Sequence, residues 1–188
     1  MEELSIREVT RENWRAALHL AVHPEQQRFI ADYVPIAVIA LAKAYIRPGG
    51  LLWVPYAIYK GAEMIGFMEL AYEPGSQENY WLFHFFIDYR YQGQSYGKKG
   101  LEVFLQFLGE HHPQCRSLQL TVHPENHVAQ HLYTEAGFKS TGELLDNEPV
   151  YRLALSSIDT SRSDFQDALA AYHAIEPSYR EANRRLAE

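Results

Sequence analysis

Two glycines and an aromatic run mark where chemistry could sit in this chain. Phe83-His84-Phe85-Phe86-Ile87 has the aromatic and β-branched content of a buried strand. A polar turn holding Gly93 and Gly97 follows, and Leu101, Phe104, Leu105 and Leu108 then recur at helical spacing. The pattern reads as strand, glycine turn, helix. The first amides of such a helix lack partners within it and lie at the positive end of its dipole, so they suit a phosphate or pyrophosphate. A Walker A loop does not fit, because only Gln94, Ser95 and Tyr96 separate the glycines and Lys98 is followed by Lys99 rather than Ser or Thr. A dinucleotide fingerprint starting at Gly93 meets Ser95 where its second glycine belongs. An ordinary strand-to-helix turn is the plain alternative. His123, His127 and His131 are four residues apart, a spacing that can bind zinc. No HExxH pattern or cysteine ligand accompanies them, so no metal is expected.

Gln92-Gly93-Gln94-Ser95-Tyr96-Gly97 resembles the pyrophosphate loop of the GNAT (Gcn5-related N-acetyltransferase) family, Gln/Arg-x-x-Gly-x-Gly/Ala, with Ser95 in place of the central glycine. The stretch Asn126 to Phe138 matches that family's other motif, Asn-x-x-Ala-x-x-Leu-Tyr-x-x-x-Gly-Phe, at every named place. Phe85-Phe86-Ile87-Asp88, Arg90 to Gly93, Gly142-Glu143 and Glu148 most resemble the bacterial spermine/spermidine acetyltransferase branch. The resemblance covers roughly residues 3 to 155. It implies an α/β fold with a mixed, mostly antiparallel sheet of six or seven strands flanked by helices, and acetyl-CoA as co-substrate.

The resemblance also implies roles. The backbone of Phe85, Phe86 and Ile87 would pair with the pantetheine arm, an N–H near Ile87 polarising the thioester carbonyl. Amides of Gly93, Gln94, Ser95, Tyr96, Gly97 and Lys98, in the loop that Gln92 opens, would hold the pyrophosphate, with Lys98 adding charge. A serine suits position 95 if its φ is negative. Asn126 and Ala129 would meet the cofactor. Tyr133 would protonate the departing sulfur, or else serve only as a packing aromatic. An alkylammonium must lose a proton before it attacks. Related enzymes carry acids at places matching Phe83 and His84; Phe83 cannot take a proton, and His84 can, its ordinary pKa suiting neutral pH. Glu69 is the second candidate, and a water chain the third. Glu25, Asp32, Trp81 and Glu148 are candidate acceptor contacts, with Glu73 and Asp146 as further acids and Tyr33 and Tyr72 as further aromatic walls. The acids could equally be solvated surface groups. The implied function is acetyl transfer to a primary amine, a polyamine first. Another amine (aminoglycoside, amino acid or peptide N-terminus) or a non-catalytic acyl-CoA sensor are the rivals.

Elements to position these groups are legible along the chain. Ser5 to Val9 alternates as a strand, and Thr10 would cap a helix striped by Trp14, Ala17, Leu18 and Ala21. A second helix would bury Val38, Leu41, Ala42 and Tyr45 and end at Pro48-Gly49-Gly50. Leu52–Tyr59 and Met64–Ala71 read as a hairpin, Leu118–Val122 as a strand, and residues 138–143 and 149–155 as closing strands. The expected division is an acetyltransferase domain over 1–155 and a helical tail over 156–188. The tail either packs on its own domain, makes a homodimer contact or covers a neighbouring site.

Composition bounds the rest. With 47% apolar residues the 188-residue chain can build a substantial core. A net charge of −7 argues against non-specific nucleic-acid binding and is compatible with a cationic substrate. The single Cys115 cannot form an internal disulfide, the N-terminus lacks a signal-peptide pattern, and no apolar run spans a membrane. A cytoplasmic protein without membrane partners is expected.

Overall fold

A computed structural model of the chain describes residues 4–31 and 34–155. Asp32, Tyr33 and the tail lie outside the described residues. The strands are β1 (Leu4–Glu8), β2 (Leu52–Lys60), β3 (Glu63–Tyr72), β4 (Tyr80–Ile87), β5 (Ser117–Thr121), β6 (Lys139–Leu145) and β7 (Glu148–Ala154). They form one sheet in the order β1-β2-β3-β4-β5-β7-β6. All neighbours run antiparallel except β4 and β5. The helices are α1 (Trp14–Ala17), α2 (Ile36–Ile46), α3 (Tyr96–His111) and α4 (His127–Glu135), with a 3-10 segment over Pro24–Phe29.

Each face of the sheet carries its own apolar layer. On β2, Tyr56 and Ile58 join Leu101, Phe104 and Leu108 of α3, whereas Ala57 and Tyr59 join Ala17, Ile36, Ala37 and Ala40 from α1 and α2. This is the two-residue alternation of a strand buried on both sides. The β6–β7 hairpin turns at Asp146-Asn147, both with positive φ, so Glu148 begins β7.

Two expectations about helices change. The first helix is a single turn, and Thr10 does not cap it; the Asn13 side chain accepts from the Thr10 amide at 2.7 Å. Helix α2 buries Ile36, Ala37 and Ala40, while Val38 is 48% and Tyr45 89% exposed. Ala42 is also exposed. Ile36 to Ile46 is apolar almost all round. Such a helix has no polar face to fix its rotation.

Strand β4 carries the irregularity that matters. Opposite β3, Phe86 pairs with Phe67 and Phe83 with Glu69, so two residues of β4 face one of β3. His84 sits in this bulge at φ +50°. The extra residue shifts the alternation. Tyr80 and Leu82 face the α3 layer before it, and Phe86 faces the α1/α2 layer after it. Phe83 and His84, though adjacent, both approach Lys43 of α2. The strands run close here: a Cβ on Gly66 would come within 2.7 Å of the Phe86 carbonyl oxygen.

Candidate active site

β4 and β5 part company early. Their pairing covers only Tyr80 with Leu118 and Trp81 with Gln119. Beyond that a cavity of about 750 Å³ opens. Its walls come from β4 (Leu82 to Phe85), from Thr121 and Val122, and from Asn126, Ala129 and Tyr133 of α4. Ile39 and Lys43 of α2, the 28–31 segment and the β6–β7 turn with Asp146 and Glu148 complete it.

Backbone geometry gives this slot a donor. The amide of Asp88 donates to the Ile65 carbonyl at 2.9 Å, so Asp88 faces β3. Alternation then turns the N–H and C=O of Ile87 away from β3, to the side on which β5 lies, just past the Phe85 end of the cavity lining. The Ile87 carbonyl accepts from Gln92 Nε2 at 2.9 Å. Phe85 and Phe86 flank it on the same strand.

The loop after β4 is held rigidly at its entrance. Burial alone would raise the Asp88 carboxyl, but hydrogen bonds from Arg90 and from the Ala21 amide outweigh it and hold it below the usual carboxylate range. The Gln92 side chain exchanges two hydrogen bonds with Gln26, at 3.0 and 2.9 Å. The Gln92 side chain thus braces the loop against the 3-10 segment. Gly93 has φ +74°, and Gly93, Gln94 and Ser95 are exposed. The first intrahelical bond of α3 runs from Lys99 N to Ser95 O at 3.2 Å, which leaves the Tyr96, Gly97 and Lys98 amides without partners in the helix. Ser95 has φ +62°, so the condition under which a serine suits this position, a negative φ, is not met. The position demands the left-handed conformation that a glycine adopts without steric cost, so serine carries strain here. Lys98 Nζ lies 3.7 Å from Glu135.

Asn126 caps α4 by accepting from the Ala129 amide at 3.1 Å, which places both residues at the cavity wall. Tyr133, one turn on, is buried between the rings of Phe85 and Phe138. Burial raises its hydroxyl above the ordinary tyrosine range, so it stays protonated.

The acceptor end is a cluster of three titratable groups. His84 Nδ1 lies 3.1 Å from the Ile30 carbonyl. A carbonyl only accepts, so Nδ1 carries the hydrogen and Nε2 presents its lone pair. Lys43 Nζ donates to Nε2 at 3.0 Å. Glu69 Oε2 is 3.8 Å from the same nitrogen. Glu69 is 0% exposed, and neither carboxylate oxygen has a hydrogen-bond partner. Burial pushes its pKa up to about 8 against the pull of Lys43. Burial, reinforced by Lys43, pushes His84 down to about 4. The expectation that His84 titrates near neutrality is therefore corrected: the imidazole is neutral. Burial lowers Lys43, which Glu69 and Asp146 partly restore. Lys43 also sits 4.8 Å from the Trp53 ring centre and 5.1 Å from that of Phe83.

Other expected contacts are sorted by this geometry. Glu148 and Asp146 line the cavity. Glu25 is an exposed residue of the 3-10 segment and does not line it. Trp81 stands one row back, stacked on Phe83, which stacks on Trp53. Tyr72 stacks on Tyr80 beside His112, and Glu73 accepts from Asn79; neither lines the cavity. Lys43 is the residue that sequence reasoning missed. Its signal was a lone charge in an apolar helix. Arg28, paired with Glu125 at 2.8 Å, is a second cation at the wall. Among the described residues no group of His, Cys, Asp and Glu could hold a metal ion, and no helix is long and apolar enough to cross a membrane.

An open strand edge with an inward N–H, a glycine turn with free amides and a buried phenol together fit a thioester carried on a pyrophosphate-bearing arm. Known proteins agree with this geometry. Residues 5–138 match the profile of the "Acetyltransferase (GNAT) family". The chain is 33% identical to the spermine/spermidine N(1)-acetyltransferase of Bacillus subtilis (strain 168) over 146 residues, 75% of this chain and 91% of that protein. The fold is that of the Vibrio cholerae spermidine N-acetyltransferase solved with CoA and spermine (TM-score 0.63, 18% identity, 82% of this chain and 96% of that one). It is equally that of the Salmonella typhimurium acetyltransferase that modifies the N-terminal serine of ribosomal protein L7/L12 (TM-score 0.63, 16% identity, 82% and 96%). The chain belongs to the GNAT family and is an acetyl-CoA-dependent N-acetyltransferase.

Proposed function

We propose that the acceptor is a linear polyamine, spermine or spermidine, acetylated on a primary amine in the cytoplasm. The observation that carries this reading is the similarity, over nine-tenths of its length, to a spermine/spermidine acetyltransferase. The cavity supports it with Asp146 and Glu148 at one wall and Phe83, backed by Trp53, at another. Carboxylates suit the distal ammonium groups, and aromatic faces suit methylenes and cations.

In this reading the slot-facing N–H of Ile87 donates to the carbonyl oxygen as it gains negative charge. The Tyr96, Gly97 and Lys98 amides hold the pyrophosphate at the α3 N-terminus. His84 Nε2 accepts the proton of the attacking amine once Lys43 has moved aside, with the Glu69 carboxyl 3.8 Å behind it. Tyr133 gives its proton to the sulfur.

One observation favours a second acceptor class. Arg28 and Lys43 place cations at the same walls, which would suit an amine that also bears a carboxylate, such as an amino acid. A thiol-release assay separates the two. Spermine and spermidine should turn over at millimolar concentration, with kcat/KM for spermine falling with ionic strength more steeply than for a monoamine. Turnover of an amino acid or peptide, with none of either polyamine, removes the polyamine reading.

A further inference from the structure

Lys43 already makes the contacts that a substrate ammonium would seek. Its ammonium lies beside the stacked Trp53 and Phe83 rings, 4.8 and 5.1 Å from their centres, is attracted by Glu69 and Asp146, and hydrogen-bonds to His84 Nε2 at 3.0 Å. That nitrogen is the one whose lone pair the Ile30 carbonyl leaves open. The lysine reaches this place from a helix whose Ile36, Ala37 and Ala40 are buried, so its backbone is anchored while its four-carbon arm spans the gap to β4. Lys43 and Tyr133 border one cavity.

We propose that Lys43 is itself an acetyl acceptor: without a free amine, the protein transfers the acetyl group of acetyl-CoA to Lys43 Nζ. Lys43 first hands a proton to His84 Nε2 across the existing hydrogen bond. The freed amine attacks the thioester carbon, a C–N bond forms and the C–S bond breaks. The sulfur leaves with one proton as free CoA thiol, and the proton on His84 passes to solvent. The lysine becomes a neutral amide. Proximity drives the reaction, since a tethered amine meets the thioester without the entropy cost of a second molecule. Burial, which weakens Lys43's hold on its proton, assists it. An entering amine competes for the same rings, carboxylates and imidazole, so acceptor turnover and self-acetylation exclude each other.

The inference rests on the acetyltransferase activity and not on the polyamine reading. The test is mass spectrometry of the full chain incubated with acetyl-CoA alone. The intact mass should rise by one acetyl group, and peptide mapping should place it on Lys43, on the order of tenfold above Lys60, Lys98, Lys99 and Lys139 in the same digest. Lys43→Arg should lose the adduct while calorimetry still shows CoA binding. A saturating free amine that is turned over should suppress it. Equal acetylation of all these lysines, equal acetylation of heat-unfolded chain, or an unmodified Lys43 after many turnovers' worth of time would overturn the proposal. Failure of spermidine to react leaves the Lys43 result standing, and an unmodified Lys43 leaves the polyamine result standing.

Discussion

Replacing Glu69 by Gln should change how the protein's stability depends on pH. In the unfolded chain this carboxyl ionises near 4.5, and in the folded protein burial pushes it to about 8. Below 4.5 both states are protonated and the group contributes nothing. Between the two values only the unfolded state releases the proton, so each pH unit costs the fold about 1.4 kcal/mol. The whole interval sets a ceiling of roughly 5 kcal/mol above pH 8. That value already contains the pull of Lys43, so roughly 5 kcal/mol is the largest pH-dependent loss the wild type should show. Glutamine cannot ionise and should show none of it. The protonated carboxyl of the wild type is equally without partners, so the variant should lie within about 1 kcal/mol of wild type in acid and gain on it as pH rises. His84 acts with opposite sign, destabilising the fold between its ordinary 6.5 and about 4, but it does so in both proteins and cancels in the difference. Urea unfolding of both proteins at about pH 5.5 and about pH 8.5 measures the two slopes. Equal slopes would mean that Glu69 ionises as an ordinary carboxylate, and the account of the acceptor cluster would be wrong.

Tyr133→Phe keeps the ring between Phe85 and Phe138 and deletes the proton, so kcat should fall by roughly 10- to 10⁴-fold with CoA affinity nearly unchanged; wild-type turnover would leave Tyr133 a packing residue. Gly97→Asp should abolish CoA binding by calorimetry while the fold stays intact, because a Cβ there would meet only Leu132 at 4.0 Å; retained affinity would move the pyrophosphate elsewhere. Ser95→Gly should raise stability, by up to about 1 kcal/mol, through relief of the positive φ; a loss in thermal or urea unfolding would contradict that strain.

The order of elements and the cofactor loop were legible because local signals carry them. Glycines at 93 and 97, the Asn126 cap and the alternating β2 and β3 residues need no knowledge of a partner strand. The acceptor cluster needed such knowledge. The bulge at His84 exists only relative to Glu69 and Phe67, and it reverses which apolar layer the rest of β4 faces. The face of α2 was misjudged because a helix that is apolar all round has no preferred rotation in its own sequence. That error hid Lys43, whose meaning depends on which way the helix turns. Gln92 shows the same limit: its bond to Gln26, sixty-six residues away, was not readable locally.

The early separation of β4 from β5 also bears on the lifetime of the protein in a cell. Among the described residues, two residue pairs are the only ladder joining β1–β4 to the three strands beyond. Past them, β4 presents unpaired backbone in the middle of the molecule, and an open strand edge is a template for any extended chain that meets it. A pantetheine arm lying there would shield that edge and tie the two halves together. Such linkage adds about 2.7 kcal/mol when ligand stands a hundredfold above its dissociation constant. The supply of acetyl-CoA would then set how many intact molecules persist as well as how fast each one works. When carbon runs short the unliganded fraction should be cut faster by proteases and cluster more readily, and a proteolysis rate indifferent to added CoA would refute this. A slot that evolved to hold a substrate would thus couple the abundance of the enzyme to the metabolite it consumes.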